Sequence, residues 1–500
     1  MPPTMNSPLA ERCSMGVPGL DAVLDGGLPA RRLYLVQGEP GVGKTTLAMQ
    51  FLMEGVRRGE SGLYVTLSET REEIEAVAKS HGWDLTKIHL YELSTIEAQI
   101  RGDSESTFFH PSEVELNRSI GALLAEVEKV QPVRVVIDSL SEMRMLAETA
   151  LRYRRQILQL KQFFAGRNST VLFLDDLTSV TPDLQVESIV HGVLCLSSEL
   201  PEYGVARRQL TVLKIRGSQF REGKHDMILR RGGVVVFPRL VGGEHHREFA
   251  REDFPSGIAA LDSLLGGGLG RGTSSIFMGP PGTGKSTLAL RFAVSAAERG
   301  EKALLFIFDE TTGTLKDRAA HLGFDMEEHL RSGLIAIEQV DPAENSPGEL
   351  VHRLRQSVED DGVRMVVIDS INGYLVMPAE RYLTLQLHEV LTFLNQHGVI
   401  TIMVLAQQGL IGETHSIVDL TYLADTVVLS RYYESRGEVK KALSVIKKRS
   451  GNHERTIREM RIGKNGISLG EPLRNLQGVL TGVPNFVNAE AANKDVPIDG

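Results

Sequence analysis

Two stretches of this 500-residue sequence decide its fold: Gly38-Glu39-Pro40-Gly41-Val42-Gly43-Lys44-Thr45 and Gly279-Pro280-Pro281-Gly282-Thr283-Gly284-Lys285-Ser286. Each matches the pattern G-x-x-x-x-G-K-[ST] and stands between an apolar β-branched run and a helical pattern. The backbone N–H groups of such a loop surround phosphates, and the next helix adds positive potential at its N-terminus. A glycine turn with a surface lysine is the weaker interpretation, because two copies match. The sequence therefore predicts two phosphate-binding loops.

The side chains of the two loops have distinct predicted roles. The lysines reach the β- and γ-phosphates of a nucleotide, and the hydroxyl that follows each lysine binds Mg²⁺. ATP and Mg²⁺ are thus the expected cofactors. Besides the two quoted loops, Thr46 and Thr287 are expected to contact the nucleotide.

A longer internal repeat surrounds the loops. Gly16-Val17-Pro18-Gly19-Leu20-Asp21 returns as Gly257-Ile258-Ala259-Ala260-Leu261-Asp262, at the same 241-residue spacing that separates Lys44 from Lys285. A constant spacing is typical of a duplicated structural unit. The expected organisation is a first domain over 1–238, a polar linker over 239–255, a second domain over 256–485 and a tail over 486–500.

Short apolar runs alternate with helical patterns in both copies. The runs include 33–36, 62–66, 133–137 and 171–174 in the first copy, and 275–278, 303–308, 365–368 and 400–405 in the second. Continuous apolar strands separated by helices indicate a parallel sheet buried on both faces. The predicted fold class is α/β, with two tandem phosphate-loop domains that each hold a mostly parallel sheet covered by helices on both faces.

Acidic residues end one predicted strand in each copy. Asp138 follows Val135-Val136-Ile137, and Asp369 follows Val366-Val367-Ile368. A carboxylate at this place in a phosphate-loop protein holds the magnesium ion, so both are predicted metal ligands. Capping of the next helix is the alternative role.

A second set of carboxylates follows the helix after each loop. Glu69 lies in Ser68-Glu69-Thr70, and Glu310 lies in Asp309-Glu310-Thr311 at the same spacing. Both glutamates are candidate general bases for hydrolysis, with helix capping as the competing role. Lys44 and Lys285 are counted with the catalytic residues because they act on the same phosphates. Asp309 gives the second copy an acidic pair at this place, where the first copy has Ser68, and it is counted with the catalytic residues.

The overall charge and hydropathy exclude several classes of protein. The formal net charge is -9, whereas a broad nucleic-acid surface needs clustered Lys and Arg, so no nucleic-acid partner is expected. No apolar run reaches the ~20 residues of a membrane helix, so no membrane partner is expected. A cytoplasmic enzyme is the predicted class.

Together these motifs resemble the KaiC family, the double-domain RecA-like ATPases of bacterial circadian timing. The resemblance covers nearly the whole chain and includes a late Arg436-Gly437-Glu438 element. It implies a homohexamer with ATP at the subunit interfaces, and a regulator similar to KaiB. It also implies that the K-x-R elements reach the nucleotide of the neighbouring subunit; their cations are Lys214, Arg216, Lys447 and Arg449.

The same resemblance implies serine/threonine autokinase activity in the second copy. The family carries two adjacent hydroxyl residues shortly before an Asp-Thr pair, and this chain has Thr421 and Tyr422 before Asp425-Thr426. Thr421 is therefore the candidate phosphosite. The departure at Tyr422 puts a two-site cycle in doubt, and the alternative is that nothing is phosphorylated.

A DNA-dependent ATPase similar to RecA or RadA, a recombinase or helicase, is the alternative function. Proteins of that type usually pair one such core with DNA-binding loops, whereas this acidic chain has two cores. The duplication favours the KaiC-like interpretation.

Overall fold

The structure is a computed structural model that describes residues 11–93, 111–177, 184–377, 380–409, 419–464, 466–481 and 485–486. The chain divides into two units, Met1–Arg239 and Leu240–Gly500. Residues from the expected linker pack on the second unit: the amide of Gly242 donates to Oε2 of Glu389 at 2.7 Å. The expected domain boundaries at 238 and 256 stay a prediction.

The described part of the first unit contains eleven strands and seven helices. The strands are β1 Arg12–Cys13, β2 Leu28–Pro29, β3 Leu33–Gly38, β4 Gly62–Thr66, β5 Ile88–Glu92, β6 Arg134–Asp138, β7 Thr170–Asp176, β8 Gly192–Glu199, β9 Arg207–Ile215, β10 Lys224–Arg230 and β11 Gly233–Phe237. The helices are α1 Leu20–Val23, α2 Lys44–Arg57, α3 Arg71–His81, α4 Pro111–Val130, α5 Leu140–Ala147, α6 Ala150–Phe164 and α7 Leu184–Ile189.

The described part of the second unit repeats this plan. Its strands are β12 Asp253–Phe254, β13 Leu269–Gly270, β14 Ser274–Gly279, β15 Ala303–Ile307, β16 Ile335–Gln339, β17 Met365–Asp369, β18 Ile400–Ala406, β19 Thr426–Ser435, β20 Glu438–Lys448, β21 Arg458–Gly463, β22 Gly466–Pro472, β23 Leu476–Gln477 and β24 Asn485–Phe486. Its helices are α8 Ala259–Leu264, α9 Lys285–Glu298, α10 Thr312–His321, α11 Met326–Arg331, α12 Pro347–Glu359, α13 Ile371–Leu375 and α14 Glu380–Gln396. Short 3₁₀ turns cover Gly242–Glu244 and Val479–Thr481.

Each unit is built on one large sheet, and the two sheets have the same topology. Over the described residues the first sheet runs β5-β4-β6-β7-β3-β8-β9-β10-β11, and the second runs β16-β15-β17-β18-β14-β19-β20-β21-β22. The first six strands of each series are parallel, and the last three are antiparallel additions. The predicted pair of RecA-like α/β domains with mostly parallel sheets is confirmed.

Alternating side chains of the central strands fill two separate cores. Along β3, Tyr34 and Val36 pack into one apolar cluster, whereas Leu33 and Leu35 pack into another. Because successive side chains of a strand point to opposite faces, a strand that is apolar throughout needs helices on both sides. This accounts for the continuous apolar runs of the sequence and for the two helical layers.

Parallel strands bring their carboxyl ends to one edge of the sheet, and this edge carries the candidate site. In β3 and β7 the paired residues at this edge are Gly38 and Asp176; in β14 and β18 they are Gly279 and Ala406.

Helix α3 leaves the same edge and ends beside the chain's single tryptophan. Trp83 stacks on His81, with ring centroids 4.8 Å apart and ring planes 23° apart. The amide of Trp83 donates to the carbonyl of Ala78 at 2.9 Å, which fixes the indole to the last turn of the helix.

Among the helices in the described ranges, none has the length and apolar character of a membrane span.

Candidate nucleotide-binding sites

Glycines shape the two loops at the positions where the backbone turns inward. Gly41 and Gly43 have φ of 77° and 113°, and Gly282 and Gly284 have 77° and 101°. A side chain is disfavoured at such angles, so the pattern requires glycine there. Gly43 and Gly284 directly precede α2 and α9, and no described side chain caps the start of either helix. The first amides of both helices are therefore free to bind an anion.

The two loop lysines have different partners. Nζ of Lys44 donates to the carbonyls of Gly38 and Glu39, both at 2.9 Å, and lies 2.6 Å from Oδ1 of Asp176. Nζ of Lys285 donates to the carbonyl of Pro280 at 2.8 Å. Burial lowers the pKa of Lys285 to about 8. Ala406 stands where the first copy has Asp176, so the second lysine lacks that carboxylate.

The predicted magnesium ligands come together in both copies. Oγ1 of Thr45 donates to Oδ2 of Asp138 at 3.0 Å, and burial raises the pKa of Asp138. In the second copy, burial raises the pKa of Asp369 to about 6, against the opposing hydrogen bond from Ser286. A hydroxyl beside a carboxylate suits Mg²⁺, which takes one or two protein oxygens and completes its shell with phosphate and water. No group of three or more His, Cys, Asp or Glu side chains forms a metal cluster within the described ranges.

Glu69 presents an unoccupied carboxylate oxygen to the first site. Its Oε2 is buried and accepts no hydrogen bond from any described residue. Burial, and then the negative charges of Asp138, Glu73 and Asp176, raise the pKa of Glu69. A carboxylate with a raised pKa and a free lone pair is suited to accept a proton.

The equivalent carboxylates of the second site both accept hydrogen bonds from neighbouring side chains. Glu310 accepts both arms of the Arg318 guanidinium, at 2.7 and 2.9 Å. Asp309 accepts a hydrogen bond from Oγ of Ser370 at 2.5 Å. The two sites thus share a backbone plan and differ in the partners of their acids.

The K-x-R cations bind backbone carbonyls of the segment before β8 or β19. Nζ of Lys447 donates to the carbonyls of Thr421 and Ala424, at 2.9 and 2.7 Å, and Arg449 donates to that of Tyr422 at 3.0 Å. Lys214 and Arg216 act equivalently in the first copy, on the carbonyls of Glu187 and Ser188. Within the described chain no hydrogen bond joins these four cations to either phosphate-binding loop.

Thr421 lies in a turn that a neighbouring acid organises. Its hydroxyl donates to Oδ1 of Asp419 at 2.6 Å, and its amide donates to the same atom at 2.9 Å. These hydrogen bonds lower the pKa of Asp419. Tyr422 beside it is exposed.

Three residues of the sites were missed from sequence. Asp176 pairs with Lys44, the hydroxyl of Tyr64 donates to Oδ2 of Asp138 at 2.6 Å, and Arg318 binds Glu310. Asp176 could have been found, because it also ends a buried strand. Tyr64 and Arg318 carried no such signal.

Comparison with known proteins places this geometry in a family. The family model described as ATPase, KaiC, matches residues 13–241 and 254–474. The circadian clock oscillator protein KaiC of Parathermosynechococcus lividus is 28% identical over 96% of this chain and 89% of that protein. Its counterpart in Synechococcus elongatus is 27% identical over 95% of this chain and 92% of that protein. The circadian clock protein KaiC3 of Synechocystis sp. is 26% identical, with 95% of each chain covered.

The family match spans both phosphate-binding loops and most of each sheet. It agrees with the repeated motifs, with the two identical sheet topologies and with the resemblance inferred from the sequence. The chain belongs to the KaiC family of ATP-binding ATPases.

Proposed function

We propose that both copies bind and hydrolyse Mg-ATP, with Glu69 as the general base of the first copy and Glu310 as that of the second. The observation that carries this proposal is the free buried oxygen of Glu69 at the edge where Thr45 and Asp138 meet. Lys44 would exchange Asp176 for the β- and γ-phosphates, and the amides at the start of α2 would bind the same phosphates.

In hydrolysis, a water oxygen forms a bond to the γ-phosphorus while the bond to the ADP oxygen breaks. Glu69 accepts the proton that the water releases, and Lys44 stabilises negative charge on the phosphate. Bound Mg²⁺, held by Thr45 and Asp138 or by Ser286 and Asp369, would supply further charge neutralisation.

The second copy is proposed to transfer the γ-phosphoryl group to Thr421. Asp419 already accepts the hydrogen bond of the Thr421 hydroxyl, which places a proton acceptor beside the attacking oxygen. Lys447 fixes the backbone at Thr421, and Asp309 and Glu310 are the acids that we propose for this transfer. The phenol oxygen of Tyr422 lies further from the backbone, so a site built for a threonine should miss it.

Assembly and regulation follow the family relationship and are proposals for this chain. A homohexamer would place ATP between subunits, where Lys214, Arg216, Lys447 and Arg449 of one subunit could face a neighbour's nucleotide. A regulator similar to KaiB is the proposed partner, and the cytoplasm is the proposed location.

The experiment that tests two-site binding is equilibrium counting of bound ATP per chain. The parent should bind two, and Lys44→Ala and Lys285→Ala should each bind one, because each removes one phosphate contact. Glu69→Gln is the matched control and should keep both. A parent that binds a single ATP contradicts the two-site proposal.

Autophosphorylation is tested with γ-labelled ATP. Label should appear in the parent and be lost in Thr421→Ala, while Tyr422→Phe should retain it. Label that persists in Thr421→Ala defeats the assignment, and an unlabelled parent supports an ATPase without kinase activity.

A further inference from the structure

Glu69 follows strand β4 and Glu310 follows the equivalent strand β15. These two carboxylates have different hydrogen-bond partners. In the second unit both oxygens of Glu310 accept from Arg318, at 2.7 and 2.9 Å. The two side chains are only 18% and 30% exposed. A two-pronged arginine–carboxylate pair of this kind is among the stronger ion pairs, since it is directional and partly shielded from water.

The first unit lacks this cation. The 241-residue spacing puts Glu69 at the position of Glu310 and Val77 at the position of Arg318. Val77 packs against the apolar core of its unit. Without a cation at this position of α3, Oε2 of Glu69 has no hydrogen-bond donor among the described residues.

The difference does not come from the backbone. Thr70 accepts a hydrogen bond from the amide of Glu73 at the start of α3, and Thr311 accepts one from the amide of Thr314 at the start of α10. The two helices begin alike, two residues after the glutamate. The side chain at one helical position therefore distinguishes the two carboxylates.

A bound arginine changes what a carboxylate can do. A general base must direct a lone pair at the attacking water, and a guanidinium that binds both oxygens already occupies one lone pair on each of them. The same cation also stands among three acids, because Asp309, Glu310 and Arg318 all act on Asp369. Arg318 thus stabilises a cluster of negative charge. It also holds one member of the cluster, Glu310, away from the attacking water.

We propose that Arg318 is a positioning residue that holds Glu310 in an ion pair and makes the second site the slower ATP hydrolase. This inference rests on the proposed function. The chemistry is unchanged: water attacks the γ-phosphorus, the bond to ADP breaks, and the water proton passes to Glu310. That transfer requires one arm of Arg318 to leave the carboxylate first.

The test compares full-length chains that all carry Glu69→Gln, so that turnover reports the second site. Arg318→Val, which copies the first unit, should raise kcat about tenfold, a part of the usual general-base effect, with KM changed by less than about twofold. Arg318→Lys, which keeps the charge but loses the fork, should raise kcat less. Adding Glu310→Gln to Arg318→Val should abolish the gain.

The reciprocal experiment uses chains that carry Glu310→Gln, so that turnover reports the first site. Val77→Arg should lower kcat while the number of bound ATP molecules stays at two. This arm also decides the question if Arg318→Val fails to fold.

Three outcomes separate the possible failures. An unchanged kcat in Arg318→Val, or a gain that survives Glu310→Gln, overturns the role of Arg318 alone, provided that Glu69→Gln still lowers turnover of the parent. An unchanged first-site kcat in Val77→Arg contradicts it equally. A parent that hydrolyses no ATP overturns the proposed function and this inference together.

Discussion

Lys44 and Lys285 stand at the same point of two equivalent loops, yet one lies against a carboxylate and the other does not. The ion pair between Lys44 and Asp176 is 2.6 Å long, and the lysine end is buried. An incoming phosphate must replace Asp176 at the ammonium group. We therefore expect the carboxylate to compete with the phosphate for Lys44 and to weaken ATP binding at the first site.

We predict that Asp176→Ala tightens ATP binding at the first site roughly fivefold, since about 1 kcal/mol of ion-pair energy need no longer be given up. ATP titration of chains carrying Lys285→Ala measures this affinity alone. The matched change Ala406→Asp should weaken the second site, measured in chains that carry Lys44→Ala. Weaker binding in Asp176→Ala would mean that the acid helps to hold the nucleotide.

We expect Glu69 to set the pH dependence of hydrolysis at the first site. Its pKa is raised, and a general base acts only when deprotonated, so hydrolysis should fall on acidification at a higher pH than an ordinary glutamate would allow. Glu69→Gln should lower kcat by ~10²-fold or more, with ATP binding unchanged. The kcat–pH profile of chains carrying Lys285→Ala is the measurement. An acidic limb that persists in Glu69→Gln would assign the base to another group.

At the level of elements, helix α2 and strand β6 meet through a buried arginine. Arg134 is fully buried, donates to the carbonyls of Ser14 and Phe51 at 2.7 and 2.8 Å, and pairs with Glu60 at 2.5 Å. A Cβ added to Gly55 would lie 2.6 Å from its Cδ. The second copy has Ala296 in place of Gly55 and Met365 in place of Arg134. Glycine thus occurs at this place in the copy that has the arginine.

We predict that Gly55→Ala destabilises the first unit by about 1–3 kcal/mol, the usual range for overpacking, because Arg134 is pinned and cannot move aside. Adding Arg134→Met should recover part of this loss, as in the second copy. Urea unfolding of the parent, both single variants and the double variant closes the cycle. Effects that add within about 0.5 kcal/mol would show that the two positions are uncoupled.

The elements themselves were largely predictable from sequence. The loops, the strand-end Asp138 and Asp369, and the 241-residue repeat follow from local patterns, because apolar runs and glycine spacing are read along the chain. The pair of Lys44 and Asp176 was not predicted. It depends on β7 lying beside β3 in a sheet whose order differs from the chain order, which no local pattern specifies.

Arg318 was not predicted from the sequence, for a different reason. A charged residue near the end of an amphipathic helix is normally a solvated one, and only the packed structure shows it folded back onto Glu310. The hydrogen-bond and ion-pair partners of a site residue are set by tertiary geometry, whereas the site residue itself is indicated by its sequence motif.

At the scale of the whole molecule, exposed apolar side chains flank the K-x-R cations. Leu213 precedes Lys214 and is 49% exposed, and Ile446 precedes Lys447 and is 50% exposed. The same exposed apolar position recurs beside the cation in both copies, and we propose that it contacts a neighbouring subunit in the homohexamer.

We predict that ATP with Mg²⁺ converts the chain to a hexamer, as measured by light scattering after gel filtration. Ile446→Asp should weaken this assembly because the substitution places a charge in an apolar contact, and Val439→Asp, at another exposed position of the same β20 strand, is the control. A chain that stays monomeric with saturating ATP would contradict the proposed assembly.

The stacked pair of Trp83 and His81 also equips the protein with its own optical reporter. Because the chain has one tryptophan, its indole fluorescence comes from the first unit alone, from a side chain just beyond the last turn of the helix that begins at Arg71. A change in tryptophan emission during an ATP titration would report ATP binding at the first unit, because the second unit has no tryptophan. The two units of this repeated protein, so alike in backbone, can then be followed separately without a dye.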